Sequence, residues 1–222
     1  HQSLQQSECR GPKFLFAQCK RTPRSDLRQA SESVPRIIRE RVFLEIFAGC
    51  ARLSKAMADR GYRVLPWDIN QGPSFDLLCL RNRQLIRGWV SCQAVACLHL
   101  GTPCGSWSRA RDRPGGPPPL RSETHLWGLP DLRPGDREQV RQGNLFAHFS
   151  SSLLRLAHKM HVPATLENPM MSRLWLVGGV RRARSLGSSV VLDLCQYGTQ
   201  WLKPTRIIGV RCDVSSMERR CH

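Results

Sequence analysis

Short apolar runs alternate with amphipathic segments over most of this 222-residue chain. The apolar runs are typical of buried strands and lie at residues 42–47, 62–67, 94–100, 164–166, 190–195 and 205–210. The amphipathic segments have the apolar spacing of helices and lie at residues 52–60, 80–90, 136–161 and 172–183. A further short run at 76–78 fits either a very short strand or a loop.

The order of these elements predicts the fold class. Strands that alternate with helices form βαβ units, so we expect an α/β, Rossmann-like domain with a doubly wound, mainly parallel sheet. No helical segment separates the last two strands, which predicts an antiparallel C-terminal hairpin at the edge of that sheet. No apolar run has the length of a membrane span or the pattern of a signal peptide, so we expect no membrane contact.

The remaining segments differ from the domain in composition. Residues 1–38 are polar and basic, and we expect a mostly disordered arm there. The domain itself is predicted to cover residues 39–212, with a tail at 213–222. Inside the domain, residues 105–135 form a long irregular stretch with PGGPPP at its centre, and loops of this length are usually functional or disordered. We therefore expect a long mobile loop at 105–135.

Charge indicates the class of partner. The chain has 34 Lys and Arg residues against 17 Asp and Glu residues, a formal net charge of +17. Such a surplus opposes a compact state unless a polyanion screens it, which favours nucleic acid, most simply DNA, as the partner. A solvated basic surface, or a genome that favours Arg codons, would account for the same composition.

The ten cysteines show no metal-ligand spacing. There is no CxxC pair, and several cysteines lie inside apolar runs, where a free thiol behaves as a small hydrophobic side chain. This usage indicates a reduced intracellular protein without bound metal, and a nuclear one if the source is eukaryotic.

Polar or small residues follow several of the predicted strands at their carboxyl ends, where sheets of this kind bind ligands. These residues are Phe47, Ala48, Gly49, Asp68, Asp76, Pro103, Cys104, Glu167 and Asn168. An acidic residue after the second strand is suited to accept hydrogen bonds from ribose hydroxyls, so the set predicts a nucleoside cofactor site. The absence of GxGxxG argues against a dinucleotide. Asp68 alone would equally fit a turn or cap residue.

Cys104 stands in the most distinctive stretch, LGTPCGSWSRARD at residues 100–112. The thiol lies just beyond the carboxyl end of the predicted strand at 94–100, and a basic loop follows the thiol. The pattern predicts a nucleophile placed at a nucleic-acid surface. Arginines in and after the stretch are candidates to bind phosphates: Arg109, Arg111, Arg113 and Arg121.

Four motifs resemble those of the DNA (cytosine-5) methyltransferases. FLEIFAGCARLS resembles the cofactor motif DLFAGxGGxS, GTPCGSWS the Pro-Cys motif, LENP the Glu-Asn-Val motif, and YGTQWLKPTRI the Tyr-Gly…Gln-x-Arg-x-Arg stretch. Their order and approximate spacing also agree, over about residues 42–210. The chain is most similar to a short, divergent branch of the family, retroelement-associated or algal.

The resemblance implies a class I methyltransferase fold that uses S-adenosylmethionine. It implies that Asp68 holds the ribose of the cofactor and that Asp76 approaches the adenine. The other residues that it places around the cofactor are Phe47, Ala48, Gly49, Ser54 and Pro103.

The resemblance also assigns catalytic roles. Cys104 would be the nucleophile and Glu167 the acid that contacts the base, with Arg206 as an anchor beside it. Lys203 would contact nucleic acid and is the substitute for Arg206, because QWLKPTR does not match the family's arginines in register. Glu167 would otherwise serve as a helix cap, and Asn168 is expected to hold backbone geometry.

The chemistry of cytosine agrees with these roles. Carbon C5 is a poor nucleophile until a thiolate adds at C6 and makes C5 enamine-like. A carboxylic acid near ring N3 stabilises that adduct. The base must leave a duplex to reach the thiol, and the 105–135 loop is placed to hold the resulting gap.

The sequence departs from the family's motifs in two respects, so other functions are also considered. Ala51 and Arg52 stand where two glycines are expected, which brings the backbone less close to the cofactor. We also expect no separate target-recognition domain after residue 211, and no counterpart of the family's final Gly-Asn motif, with which the Gly143-Asn144 pair is not equated. Specificity would then come from the loop, a partner, or a region lost from a larger polyprotein. The alternatives are an RNA cytosine-5 methyltransferase and an inactive remnant that only binds nucleic acid.

Overall fold

The computed structural model describes residues 41–221, so the arm predicted at 1–38 lies outside the described residues. The strands are β1 (Val42–Ile46), β2 (Val64–Trp67), β3 (Val95–Leu100), β4 (Ala164–Pro169), β5 (Gly187–Asp193) and β6 (Pro204–Val210). The α-helices are α1 (Arg52–Ala58), α2 (Leu80–Ser91), α3 (Pro134–Lys159) and α4 (Gly178–Arg184). Short 3-10 turns make up the remaining regular structure, and the run at 76–78 is a turn rather than a strand.

The six strands form one mixed sheet in the order β2-β1-β3-β4-β6-β5. Strands β2, β1, β3 and β4 pair in parallel, and β6 is antiparallel to both of its neighbours. The predicted α/β class and mainly parallel sheet are therefore confirmed. The chain runs outward from β1 to β2 and then crosses back to β3, so the order of strands reverses between β1 and β3. Ligands in such sheets bind at this point, beyond the carboxyl ends of the strands.

The antiparallel C-terminal hairpin forms at the edge of the sheet, as predicted, with β6 as its inner strand. Strand β6 lies between β4 and β5, and β5 forms the edge. Ile207, Ile208 and Val210 of β6 are all buried, so neither face of this strand is turned to water. Such a strand has a hydrogen-bonded strand on each side. The alternation of apolar and polar positions in the sequence does not show how many neighbours a strand has.

The core lies between the sheet and the helices that cover it. All five residues of β1 are buried, as is expected for a strand covered on both faces. Side chains with no solvent exposure come from β1, α2, β3, α3 and β4, among them Leu44, Ile46, Ile86, Leu98, Leu100, Leu153, Leu154 and Leu166. Within residues 41–221, no helix has both the length and the apolar character needed to cross a membrane.

The segment predicted as a helix at 172–183 is broken into two pieces. A 3-10 turn covers Arg173–Leu176, and α4 begins only at Gly178. Between them Val177 is extended, with φ −62° and ψ 124°. Gly179 passes so close to α3 that a Cβ there would lie 2.8 Å from the Ser151 hydroxyl oxygen. The absence of a side chain at Gly179 thus allows α4 to pack closely on α3.

The predicted tail belongs to the domain as far as residue 221. The main-chain N–H of Asp193, at the end of β5, donates to the carbonyl of Arg219 at 2.8 Å. The Asp193 carboxylate is buried and accepts from the Cys221 N–H at 2.8 Å and from the Arg220 guanidinium at 3.0 Å. The chain after β6 therefore covers the edge strand.

The 105–135 segment packs against α3 around one buried arginine. Arg121 is only 1% exposed, and its guanidinium lies 3.5 Å from the ring centroid of Trp107, which is fully buried. Its nitrogens donate five hydrogen bonds inside the protein, to the Ser106 carbonyl and hydroxyl, the carbonyls of Leu126 and Val140, and the side-chain oxygen of Asn144. Burial lowers the pKa of Arg121 to about 10, so the group stays charged at neutral pH.

This packing corrects one expectation. Arg121 was expected to bind phosphate, which is wrong because its donors are used within the protein and water does not reach it. The buried cation, with its hydrogen bonds satisfied, also ties this part of the segment to α3. Gly143 and Asn144 turn out to be structural: Asn144 accepts from Arg121, and its amide donates to the Trp127 carbonyl at 2.9 Å.

We expect Gly143→Ala to destabilise the domain by about 1–3 kcal/mol, as overpacking usually does. A Cβ at Gly143 would overlap the Ser106 Oγ and lie 2.9 Å from an Arg121 nitrogen, so the buried arginine would have to shift. Urea denaturation measures the change. Gly88→Ala is the matched control: Gly88 lies in α2 with nothing within 4 Å of the added methyl group. That variant should be more stable by about 0.5–1 kcal/mol.

Candidate active site

The loop that follows β1 bends through three residues with positive φ. In this β1 loop, residues 47–51, φ is 60° at Phe47, 55° at Gly49 and 53° at Ala51. A left-handed conformation costs a non-glycine residue about 1–2 kcal/mol, so the surrounding contacts must hold it. The Phe47 N–H donates to the Trp67 carbonyl at 2.9 Å, and the Phe47 ring packs edge-on against Phe146, with centroids 5.0 Å apart.

Asp68 connects the end of β2 to the β1 loop. One carboxylate oxygen accepts the Gly49 N–H at 2.9 Å, and the other accepts the Asn70 N–H at 2.9 Å. Asp68 therefore acts as a cap residue, which is the alternative role that the sequence left open for it. It is also partly exposed, and each carboxylate oxygen can accept a second hydrogen bond. The space beyond Gly49 is open, because a Cβ there would meet nothing within 4 Å.

A buried carboxylate beneath the β1 loop was not identified from the sequence. Glu45, in β1, is 5% exposed and accepts hydrogen bonds from the N–H and the hydroxyl of Ser54, the N–H at 2.7 Å. Ser54 lies in the first turn of α1, whose preceding residue Ala51 supplies no side-chain cap. The carboxylate therefore completes the start of the helix. Ser54 was expected beside the cofactor; it is 2% exposed and supports the loop from below instead.

Three other residues predicted around the cofactor lie at the same edge of the sheet with different exposure. Asp76 is partly exposed, and its Oδ1 accepts the Leu78 N–H at 2.7 Å. Ala48 is buried, at 8% exposure, and Pro103 is exposed. Of these, Asp76 and Pro103 remain accessible to a ligand.

The loops after β1 and β3 touch where the strand order reverses. The Gly101 N–H donates to the Ile46 carbonyl at 3.0 Å, and a Cβ at Gly101 would lie 3.0 Å from the Phe47 carbonyl oxygen. Asn168, fully buried in β4, donates from its side chain to the Thr102 carbonyl at 2.6 Å. The expectation that Asn168 holds backbone geometry is confirmed. Cys104 is thus positioned from two neighbouring strands.

Cys104, Glu167 and Lys203 form one cluster at this edge. The Lys203 ammonium lies 3.3 Å from a Glu167 carboxylate oxygen, and both charges act on the half-buried Cys104 thiol. Burial raises the pKa of Cys104 above its ordinary value; Lys203 lowers this pKa and Glu167 raises it. The thiol is therefore protonated at neutral pH in this arrangement, and Lys203 is the charge that favours the thiolate.

Arg206 does not join this cluster. In the β4–β6 register Glu167 pairs with Ile207 and Asn168 pairs with Arg206, so Arg206 and Glu167 face opposite sides of the sheet. The Arg206 guanidinium lies 5.6 Å from the Trp175 ring centroid. The expectation that Arg206 anchors the base beside Glu167 is therefore not met, because side chains alternate along a strand. Lys203 occupies that place.

The arginines that follow Cys104 differ in how many donors remain for phosphate. Arg109 forms an ion pair with Glu123, and Arg111 donates to the Pro118 carbonyl at 2.9 Å. Arg113 is exposed, and no carboxylate in the part of the chain that the structure describes pairs with it. Of the four arginines predicted to contact nucleic acid, Arg113 has the most freedom to do so.

Comparison with protein-family models and with curated proteins finds no match to this chain. Function must therefore be inferred from the residues themselves. Among residues 41–221, no three His, Cys, Asp or Glu side chains are grouped so that they could hold a metal ion. The chemically distinct feature of the site is the thiol beside an ammonium and a carboxylate.

We expect the pH dependence of Cys104 alkylation to shift in opposite directions in two variants. Lys203→Met removes a charge that favours the thiolate, so the rise in rate should move to higher pH. Glu167→Gln removes a charge that opposes the thiolate, so the rise should move to lower pH. Iodoacetamide labelling followed by peptide mass spectrometry measures both.

The exposed thiol of Cys50 provides an internal control, because its labelling profile should be the same in all three proteins. Profiles of Cys104 that coincide in the wild type and both variants would show that the three groups do not interact.

We expect Ala51→Gly to stabilise the domain by about 1 kcal/mol, because glycine adopts the left-handed conformation of residue 51 without strain. Ala56→Gly, in the middle of α1, should instead cost about 0.5–1 kcal/mol. Thermal or urea unfolding separates the two. Equal destabilisation by both substitutions would mean that residue 51 is not strained.

Proposed function

We propose that this protein transfers a methyl group from S-adenosylmethionine to C5 of cytosine in DNA, through a covalent adduct with Cys104. The observation that carries the proposal is the cluster of Cys104, Glu167 and Lys203 at the carboxyl edge of the sheet, where the segment that leads to Cys104 contacts the β1 loop through Gly101. A thiol, an acid and a cation are the groups that this reaction needs. The proposal would place the protein with DNA, in the nucleus if the source is eukaryotic.

The residues around the β1 loop fit a nucleoside cofactor. Gly49 leaves open space, and Asp68 is partly exposed and has lone pairs left for ribose hydroxyls. Asp76 and Pro103 would border the same opening. The bound cofactor would supply an electrophilic methyl group.

The protein's own groups would prepare the base. The Cys104 thiol gives its proton to water, and the sulfur forms a bond to C6 of cytosine while the C5–C6 electron pair moves toward C5. Glu167 would contact ring N3 and stabilise the charge that reaches it, and Lys203 would hold Glu167 in position at 3.3 Å. After C5 gains the methyl group, water takes the proton from C5, the electron pair of that bond re-forms the C5–C6 double bond, and the S–C6 bond breaks so that the thiolate is restored.

A second candidate is a domain that binds nucleic acid without catalysis. Two observations favour it: Ala51 has a side chain in a left-handed loop where the family motif has glycine, and burial raises the pKa of the Cys104 thiol. Either change would weaken methyl transfer while leaving a basic surface in place.

We expect labelled methyl groups to pass from S-adenosylmethionine to cytosine-containing DNA, and incorporation to fall at least about 1,000-fold in Cys104→Ser. Cys92→Ser is the matched control and should retain wild-type activity, because Cys92 follows α2 and precedes β3, at the amino end of the strand whose carboxyl end leads to Cys104. Structured RNA of equal cytosine content is the second substrate.

Incorporation into RNA alone would identify an RNA methyltransferase. Equal incorporation by the wild type and by Cys104→Ser would rule out the proposed mechanism. Salt-dependent DNA binding without cofactor binding would favour the non-catalytic domain.

A further inference from the structure

We propose that Trp201 is a stacking platform for an unpaired base and that the site therefore takes single-stranded nucleic acid. Trp201 is 60% exposed, and its neighbour Leu202 is 62% exposed. The proposal rests on the proposed function in one respect only, that nucleic acid is the partner. It adds that this nucleic acid is single-stranded and that Trp201 is the residue that selects it.

Trp201 lies at the rim of the Cys104 cluster. The hairpin turn, residues 194–203, is closed by a hydrogen bond from the Leu194 N–H to the Lys203 carbonyl at 3.2 Å. Lys203 contacts Glu167 and follows Trp201 by two positions, so their Cα atoms are at most about 7 Å apart. The Thr199 hydroxyl donates to the Trp201 carbonyl at 3.0 Å, which helps to set the backbone from which the indole projects.

A second apolar side chain is brought to the same rim by β4. The Met170 N–H donates to the Pro204 carbonyl at 2.9 Å, which holds the end of β4 against the start of β6. Met171 follows and is 55% exposed. Trp201, Leu202 and Met171 are thus three exposed apolar residues near the end of β4 and the start of β6, and we call this set the Trp201 rim.

The rings of the other five tryptophans of the chain are buried in the domain or stacked on another ring. Four of them, Trp67, Trp89, Trp107 and Trp175, are buried in the domain. Trp127 is 44% exposed and stacks on His148, with ring centroids 4.6 Å apart. Trp201 is the exception, since no aromatic ring or cation within residues 41–221 packs on its indole.

The positive charge of Lys203 and of the whole chain indicates which class of partner binds at the rim. An apolar rim alone would fit many ligands, but Lys203 borders it and the whole chain has a formal net charge of +17. A polyanion with flat apolar faces satisfies both features, and nucleic acid is such a ligand. In a duplex, both faces of each base are already stacked, so the indole gains contact area only with a base that is unpaired. The rim therefore favours a single strand over a duplex.

The test is the affinity for fluorescein-labelled DNA of about 12 nucleotides, a length suited to one binding groove, measured by anisotropy without cofactor. Trp201→Ala should weaken binding of the single strand about tenfold, and Trp201→Phe should restore most of it, since base–aromatic stacking contributes on this scale. Tyr62→Ala is the matched control: Tyr62 is 53% exposed and precedes β2, at the opposite edge of the sheet, so binding should not change.

An abasic oligonucleotide and a duplex sharpen the result. The effect of Trp201→Ala should disappear on an abasic strand, which keeps the phosphates but offers no base, and should be small on a duplex. Equal binding of the single strand by the wild type and by Trp201→Ala would overturn the proposal, as would a wild type that binds no single strand. An equal loss in Trp201→Ala on the abasic strand would also overturn it, because the contact would then be to the backbone.

Different experimental results would refute the proposed methyl transfer and the proposed stacking on Trp201. Stacking on Trp201 without any methyl transfer would refute the proposed reaction and leave the platform in place. Methyl transfer to single-stranded DNA that proceeds with the same KM and kcat in Trp201→Ala would refute the platform and leave the reaction in place.

Discussion

The contact between the loops after β1 and β3 is the constraint on which the site depends. Gly101 donates to the Ile46 carbonyl and approaches the Phe47 carbonyl so closely that a Cβ there would lie 3.0 Å from the carbonyl oxygen. This brings the open space beside Gly49 and the thiol of Cys104 to one point of the sheet edge. Parallel strands end together in any sheet of this class, but only a reversal of strand order leaves a crevice between two of them.

Charged side chains, two of them buried, hold the rest of the edge in place. Glu45 satisfies the first turn of α1 from below, and Asp68 ties the end of β2 to Gly49. Arg121 does the same for the segment that follows Cys104, which it joins to α3. Each group accepts or donates several hydrogen bonds, which offsets the cost of removing its charge from water. The loops at the site are therefore supported by polar contacts as well as by apolar packing.

The chemistry proposed for Cys104 depends on a balance of charges. Burial favours the protonated thiol, and a single ammonium, that of Lys203, opposes this while it also contacts Glu167. Reactivity is then sensitive to whatever enters the site and displaces water or neutralises a charge. A polyanion that contacts Lys203 and the Trp201 rim would act directly on this balance.

Local patterning was enough to predict the six strands, three of the four helices and the mainly parallel sheet, because the period of apolar positions reports which face is buried. Motif residues also led to Cys104, Glu167 and Asp68. Tertiary structure alone decided the rest. Whether an arginine is buried or exposed, as with Arg121, depends on partners distant in the chain. Which face of the sheet Arg206 or Lys203 occupies depends on the register of β6 against β4, since a shift of one residue reverses every side chain.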